Sequence, residues 1–135
     1  MSLTLTDQDK ATIRNAAYGA VSLMAAAGAA GSPHRIATEG TIALSSATGP
    51  IGHVLAAKSK DIKLDGKSVA ELADHVLPAL TEAISLLKQQ APEEAGNFRG
   101  TVLVAVEAAA GAQKGGPGPA LAEMTRKITE ALDAA

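Results

Sequence analysis

Histidines 34, 53 and 75 are the side chains in this sequence best suited to metal binding or proton transfer, and there is no cysteine to add thiol chemistry. A di-iron site in a helical bundle needs Glu-x-x-His pairs, because spacing i and i+3 turns both ligands inward together. Gly31, Pro50 and Leu72 stand three residues before His34, His53 and His75, so the pattern is absent. Glu71 and His75 are four apart and can share a cation. They lie at the flank of an apolar stripe, and a solvated pair on one helix face is the better account, since a metal needs further ligands. Ser45 or Ser46 with His53 supplies a hydroxyl and an imidazole, but neither a nucleophile elbow nor a third orienting group accompanies them.

The remaining motifs fail on their own chemistry. Residues 61–72 put Gly66 at the sixth position of a calcium-loop register. Lys63 then occupies the third position and Leu72 the twelfth, where oxygen ligands belong. The Gly-Ala-Gln-Lys-Gly-Gly run that begins at Gly111 lacks the residue order and preceding strand of a phosphate-binding loop. Lys58, Lys60, Lys63 and Lys67 cluster, but Asp61 and Asp65 interrupt them and no aromatic residue interleaves. With a formal charge of −2 the chain has the wrong sign for an electrostatic nucleic-acid binder. No catalytic residue, metal ligand, cofactor or nucleic-acid partner is therefore expected. One constellation stands apart. His34, Glu39 and His53 surround a stretch punctuated by Gly40, Thr48, Gly49, Pro50 and Gly52; it reads first as a corner that turns the chain over the bundle, and a broken helix there also opens a candidate ligand cleft.

The elements that position these residues are helices. Thr6 is a good N-cap, and Asp7 and Asp9 put negative charge in the first turn. Ile13, Ala17, Ala20, Val21, Met24 and Gly28 then form an inward stripe, with Gly19 and Ser22 opposite. Ser32-Pro33 opens a second helix with Ile36, Gly40, Ala43, Leu44 and Ala47 inward, and Gly49-Pro50 kinks or breaks it. A short helical piece carrying Ile51, Val54 and Leu55 follows. A polar connector comes next, in which Asp65-Gly66 can turn a hairpin.

Ser68 and Glu71 make a capping box for the third helix, whose stripe is Val69, Leu72, Ala73, Val76, Leu80, Ile84 and Leu87, with Pro78 on the opposite side. Pro92 opens the fourth helix. Phe98, Val102, Ala105, Val106 and Ala109 share one side of it, but Leu103 and Val104 make it apolar nearly all round, as in a central helix. A Gly/Pro linker leads to a fifth helix carrying Leu121, Met124, Ile128 and Leu132, with Glu123 and Lys127 spaced to pair.

Thirty alanines, one Phe, one Tyr and no Trp mean a core of small side chains and no aromatic platform for a flat ligand. The Ala- and Gly-rich stretch over 16–30 is shorter than the roughly 18 residues of a membrane span. Asp7, Gln8 and Asp9 before it spoil a secretory signal. The fold expected is an all-α, single-domain antiparallel bundle of the four-helix type with a broken second helix, five helical segments in all. Facing Ala and Gly stripes bring its axes toward the short end of about 8–10 Å.

The segment LTDQDKATIRNAAYGAV over 5–21, together with the third helix, resembles small uncharacterised all-α proteins of high-GC actinobacteria. The resemblance implies a cytoplasmic bacterial protein and carries no functional residue with it. By elimination the expected function is non-enzymatic protein–protein contact. The partner would be a second copy in a homodimer, with Leu103 or Val104 at the interface, or another protein. The alternative is a small-molecule sensor using the cleft near the broken helix.

Overall fold

Thr6 starts the first helix as its side chain allows. Its hydroxyl accepts from the Asp9 N–H at 3.0 Å, and the Asp9 carboxylate accepts from the Thr6 N–H at 3.1 Å, a reciprocal capping box. The computed structural model describes residues 5–28, 33–56, 68–113, 115 and 118–135. In them the chain forms α1 (Asp7–Ala27), α2 (Pro33–Ser45), α3 (Gly49–Ala56), α4 (Val69–Gln90), α5 (Pro92–Gly111) and α6 (Pro119–Asp133). No strand occurs among the described residues, and the fold is all-α. The lysine cluster, the Asp65-Gly66 hairpin and the Ser32 cap lie outside the described residues.

The described residues form six helices rather than the five segments expected, because Gly49-Pro50 breaks the second helix cleanly. Gly49 turns the corner at φ +75°, a left-handed conformation that disfavours a Cβ. Pro50 then sits in the first turn of α3, where its missing N–H costs nothing. Ile51, Val54 and Leu55 return to the core.

Contacts between helices fix their directions. Gln90 at the end of α4 bonds Asp9 at the start of α1, so this pair is antiparallel. Asn97 near the start of α5 bonds Thr48 just past the end of α2, and Arg99 of α5 pairs with Asp133 at the end of α6. Thr81 Oγ1 donates to the Ala131 carbonyl at 2.6 Å, tying α4 to α6. Ala91 alone separates α4 from α5. Its N–H closes α4 on the Leu87 carbonyl, and Pro92 begins the next helix.

The central helix is α1, not α5. From Asp9 to Ala27 no residue of α1 is exposed, and α1 packs against every other helix. Gly19, assigned outward by periodicity, is buried: a Cβ there would stand 2.7 Å from a Val76 methyl on α4. Gly40 makes the same close approach between α2 and Val21 of α1. These are the places where small residues let axes draw together, and dispersion replaces part of the burial that larger side chains would give. Arg14, 7% exposed on this helix, is the buried charged side chain among the described residues. No buried side-chain nitrogen or oxygen described here lacks a partner.

The stripe of α4 is buried as expected at Leu72, Val76, Leu80, Ile84 and Leu87 and gains Ala83, while Ala73 is half-buried and Pro78 faces outward. Val69 instead is exposed, because the helix start overhangs the core. On α6 the apolar row Leu121, Met124, Ile128 and Leu132 is buried. The charge pairing there differs from the expected Glu123–Lys127 pair: the Arg126 guanidinium takes both Glu123 and Glu130. Its fork makes parallel bonds that an ammonium cannot. The Arg99 guanidinium, first by hydrogen bonding and then by charge, holds the Asp133 carboxyl below its usual range. The Thr6 N–H and then the Gln90 amide do the same for Asp9. What these carboxylates contribute is therefore complete above about pH 4 and lost as the pH falls through their lowered values.

Candidate functional site

The broken corner is latched to α5. Asn97 donates through its amide nitrogen to the Thr48 carbonyl at 3.3 Å and to Glu94 at 3.1 Å. Beside this latch an open trough of about 410 Å³ runs between α2 and α5. Ala43, Ser46, Ala47 and Thr48 line one wall, and Gly96, Asn97, Gly100, Thr101 and Val104 the other. None of them is titratable. Two of the lining hydroxyls are already used within the fold: Ser46 donates to the Ile42 carbonyl at 3.0 Å and Thr101 to the Asn97 carbonyl at 2.8 Å.

Val104, 58% exposed, rises at one edge of the trough, and Ile42 on the outer face of α2 is 55% exposed. At Gly96 and Gly100 an added Cβ would meet nothing within 4 Å. These two glycines do not serve close helix packing inside the molecule, unlike Gly19 and Gly40. The outward face of α5 therefore runs Glu93, Gly96, Gly100, Val104, Glu107 and Gly111, all exposed. The apolar surplus that suggested a central helix emerges at the surface here.

His34, Glu39 and His53 are all exposed, and none lines this trough. At 100° per residue, His34 and Glu39 point about 140° apart on α2. The hollow at the broken helix exists, but it is built from Ser46, Thr48 and Asn97 rather than from the imidazoles. Ser45 donates its hydroxyl to the Thr41 carbonyl, as Ser46 does one residue on. Glu71 and His75 are exposed on α4, and among the described residues no three His, Asp or Glu side chains gather to hold an ion. Of the two expected interface residues, Val104 is open to solvent. Leu103 is half-buried and packs on the core.

A second hollow, about 310 Å³, lies on the other flank of α5 among Ile84, Lys88, Ala95, Arg99 and Leu132. Its charges are spent on each other. Arg99 bonds Asp133 at 2.7 Å and Lys88 bonds the Ala135 carbonyl at 2.6 Å.

No described helix is long and apolar enough to cross a membrane. Comparison with protein-family models, with curated proteins and with solved structures finds no match for this chain.

Proposed function

We propose that this chain is a non-enzymatic helical protein of the bacterial cytoplasm that acts by protein–protein contact, and that the outer face of α2 and α5 is its contact surface. The observation that carries this reading is the pair Gly96 and Gly100, exposed in mid-helix with nothing near them, beside exposed Val104 and Ile42. Glycine within an exposed helix costs about 1 kcal/mol against alanine. Nothing inside the fold repays that cost, whereas a close-approaching partner helix does. The trough lacks the enclosure and convergent polar groups typical of a small-molecule site.

Filling the trough tests the reading. A Cβ at Gly96 or Gly100 meets no atom of the fold, the rest of a leucine side chain enters the open trough, and leucine raises helix propensity, so the double variant should melt no lower than the parent chain. In a lysate of its own cells the parent chain should elute within a larger assembly, and the double variant as the free protein. Identical elution of the two would contradict the proposal.

A further inference from the structure

We propose that the α2–α5 trough receives a basic amphipathic helix of another protein, with a short apolar row flanked by lysine or arginine. This rests on the contact reading above and adds the chemistry of the partner. Glu93 and Glu107 stand seven residues on either side of Gly100, two turns away along the same face of α5. Glu39 lies one turn from Ala43 on the trough side of α2, and Glu94 closes the end by the latch. Among the described residues, Arg35 is the cation on this face; Arg99, on the far flank, is held by Asp133. An uncharged floor is thus framed by carboxylates in a chain whose overall charge is only −2. A second copy fits this frame poorly. Any isologous pairing sets a patch against itself, so the four glutamates of one copy would face the same four of the other, and like-charge juxtaposition opposes association. A helix with cations on its flanks satisfies the frame, and the glycines let its apolar row sit close.

The experiment uses the full chain and a labelled Leu/Ala/Lys amphipathic peptide about four turns long, with a matched peptide carrying glutamate for lysine, read by fluorescence anisotropy. The lysine peptide should bind at least about tenfold more tightly than the glutamate peptide. Glu93→Lys with Glu107→Lys should weaken it by a similar factor. Gly96→Leu with Gly100→Leu should abolish binding although every charge remains, which separates seating in the trough from diffuse attraction. Circular dichroism of each variant confirms that it is folded. Binding that survives the filled trough, or equal binding of both peptides, would overturn the proposal. So would a parent chain that sediments as a dimer dispersed by Gly100→Leu. That last result would keep the contact reading and replace the partner with a second copy.

Discussion

Phe98→Ala is expected to cost about 3–5 kcal/mol of stability, the range for truncating a buried aromatic residue. Phe98 is the sole phenylalanine and is fully buried at 0% exposure. The core to which it belongs contains many alanines. Ala95, Ala105 and Ala109 share its side of α5, and Ala16, Ala17 and Ala20 lie on the central helix. Alanine has no side-chain torsion with which to move into a gap, which limits how far such a core relaxes and keeps much of the cavity term. Denaturant unfolding followed by circular dichroism measures the loss. A cost below about 1 kcal/mol would mean that α5 presents a different face to the core.

Gly52→Ala is expected to destabilise by about 2 kcal/mol. A Cβ at Gly52 would stand 2.2 Å from the Ala47 carbonyl oxygen and 2.5 Å from its carbon. Those are backbone atoms of the corner and cannot rotate away as a side chain can. Overpacking of this kind costs up to about 3 kcal/mol, and alanine's better helix propensity returns about 1 kcal/mol. The sign is the informative part. The same substitution at Gly100, where a Cβ meets nothing, should stabilise by about 0.5–1 kcal/mol. Thermal unfolding of the two variants side by side checks both. A stabilised Gly52→Ala would show that the α2–α3 corner is not closed as described.

Much of the fold was legible because its signals are local. Thr6 with Asp9, and Ser68 before Glu71, mark helix starts by side-chain chemistry alone. Leu121, Met124, Ile128 and Leu132 follow one helical period with polar residues elsewhere, so their burial needed no tertiary information. The break at Gly49-Pro50 was equally local, although only the positive φ of Gly49 decides between a kink and a break.

Periodicity failed where a helix is surrounded. Gly19 falls outside the large-residue stripe of α1, yet Val76 of another helix closes over it. The available signal was the absence of Asp, Glu, Lys or Arg between Arg14 and Arg35, since charged side chains avoid a position enclosed on every side. On α5 the error ran the other way. Val104 lies off the side that Val102 and Val106 share, and its apolar side chain reads as a second buried face although it is exposed. The candidate site was not legible as a motif at all. Its walls come from the end of α2 with the corner that follows it and from α5, about fifty residues apart in sequence, and most of its residues are glycine, alanine and satisfied hydroxyls. Histidine chemistry is conspicuous in a sequence, yet no histidine lines the trough.

The claim that a protein sits on the α2–α5 face is tested most directly by site-specific photocrosslinking inside the cells that make this chain. A photoreactive phenylalanine analogue at exposed Val104 reports what touches the trough edge, and the same analogue at exposed Pro78, on a different helix, serves as the control. The expected result is a discrete protein adduct from position 104, absent from position 78, whose crosslinked peptide is a helix-forming, lysine- or arginine-rich segment of another protein. No protein adduct from position 104, or the same adducts from both positions, would contradict the assignment of this face as the contact surface.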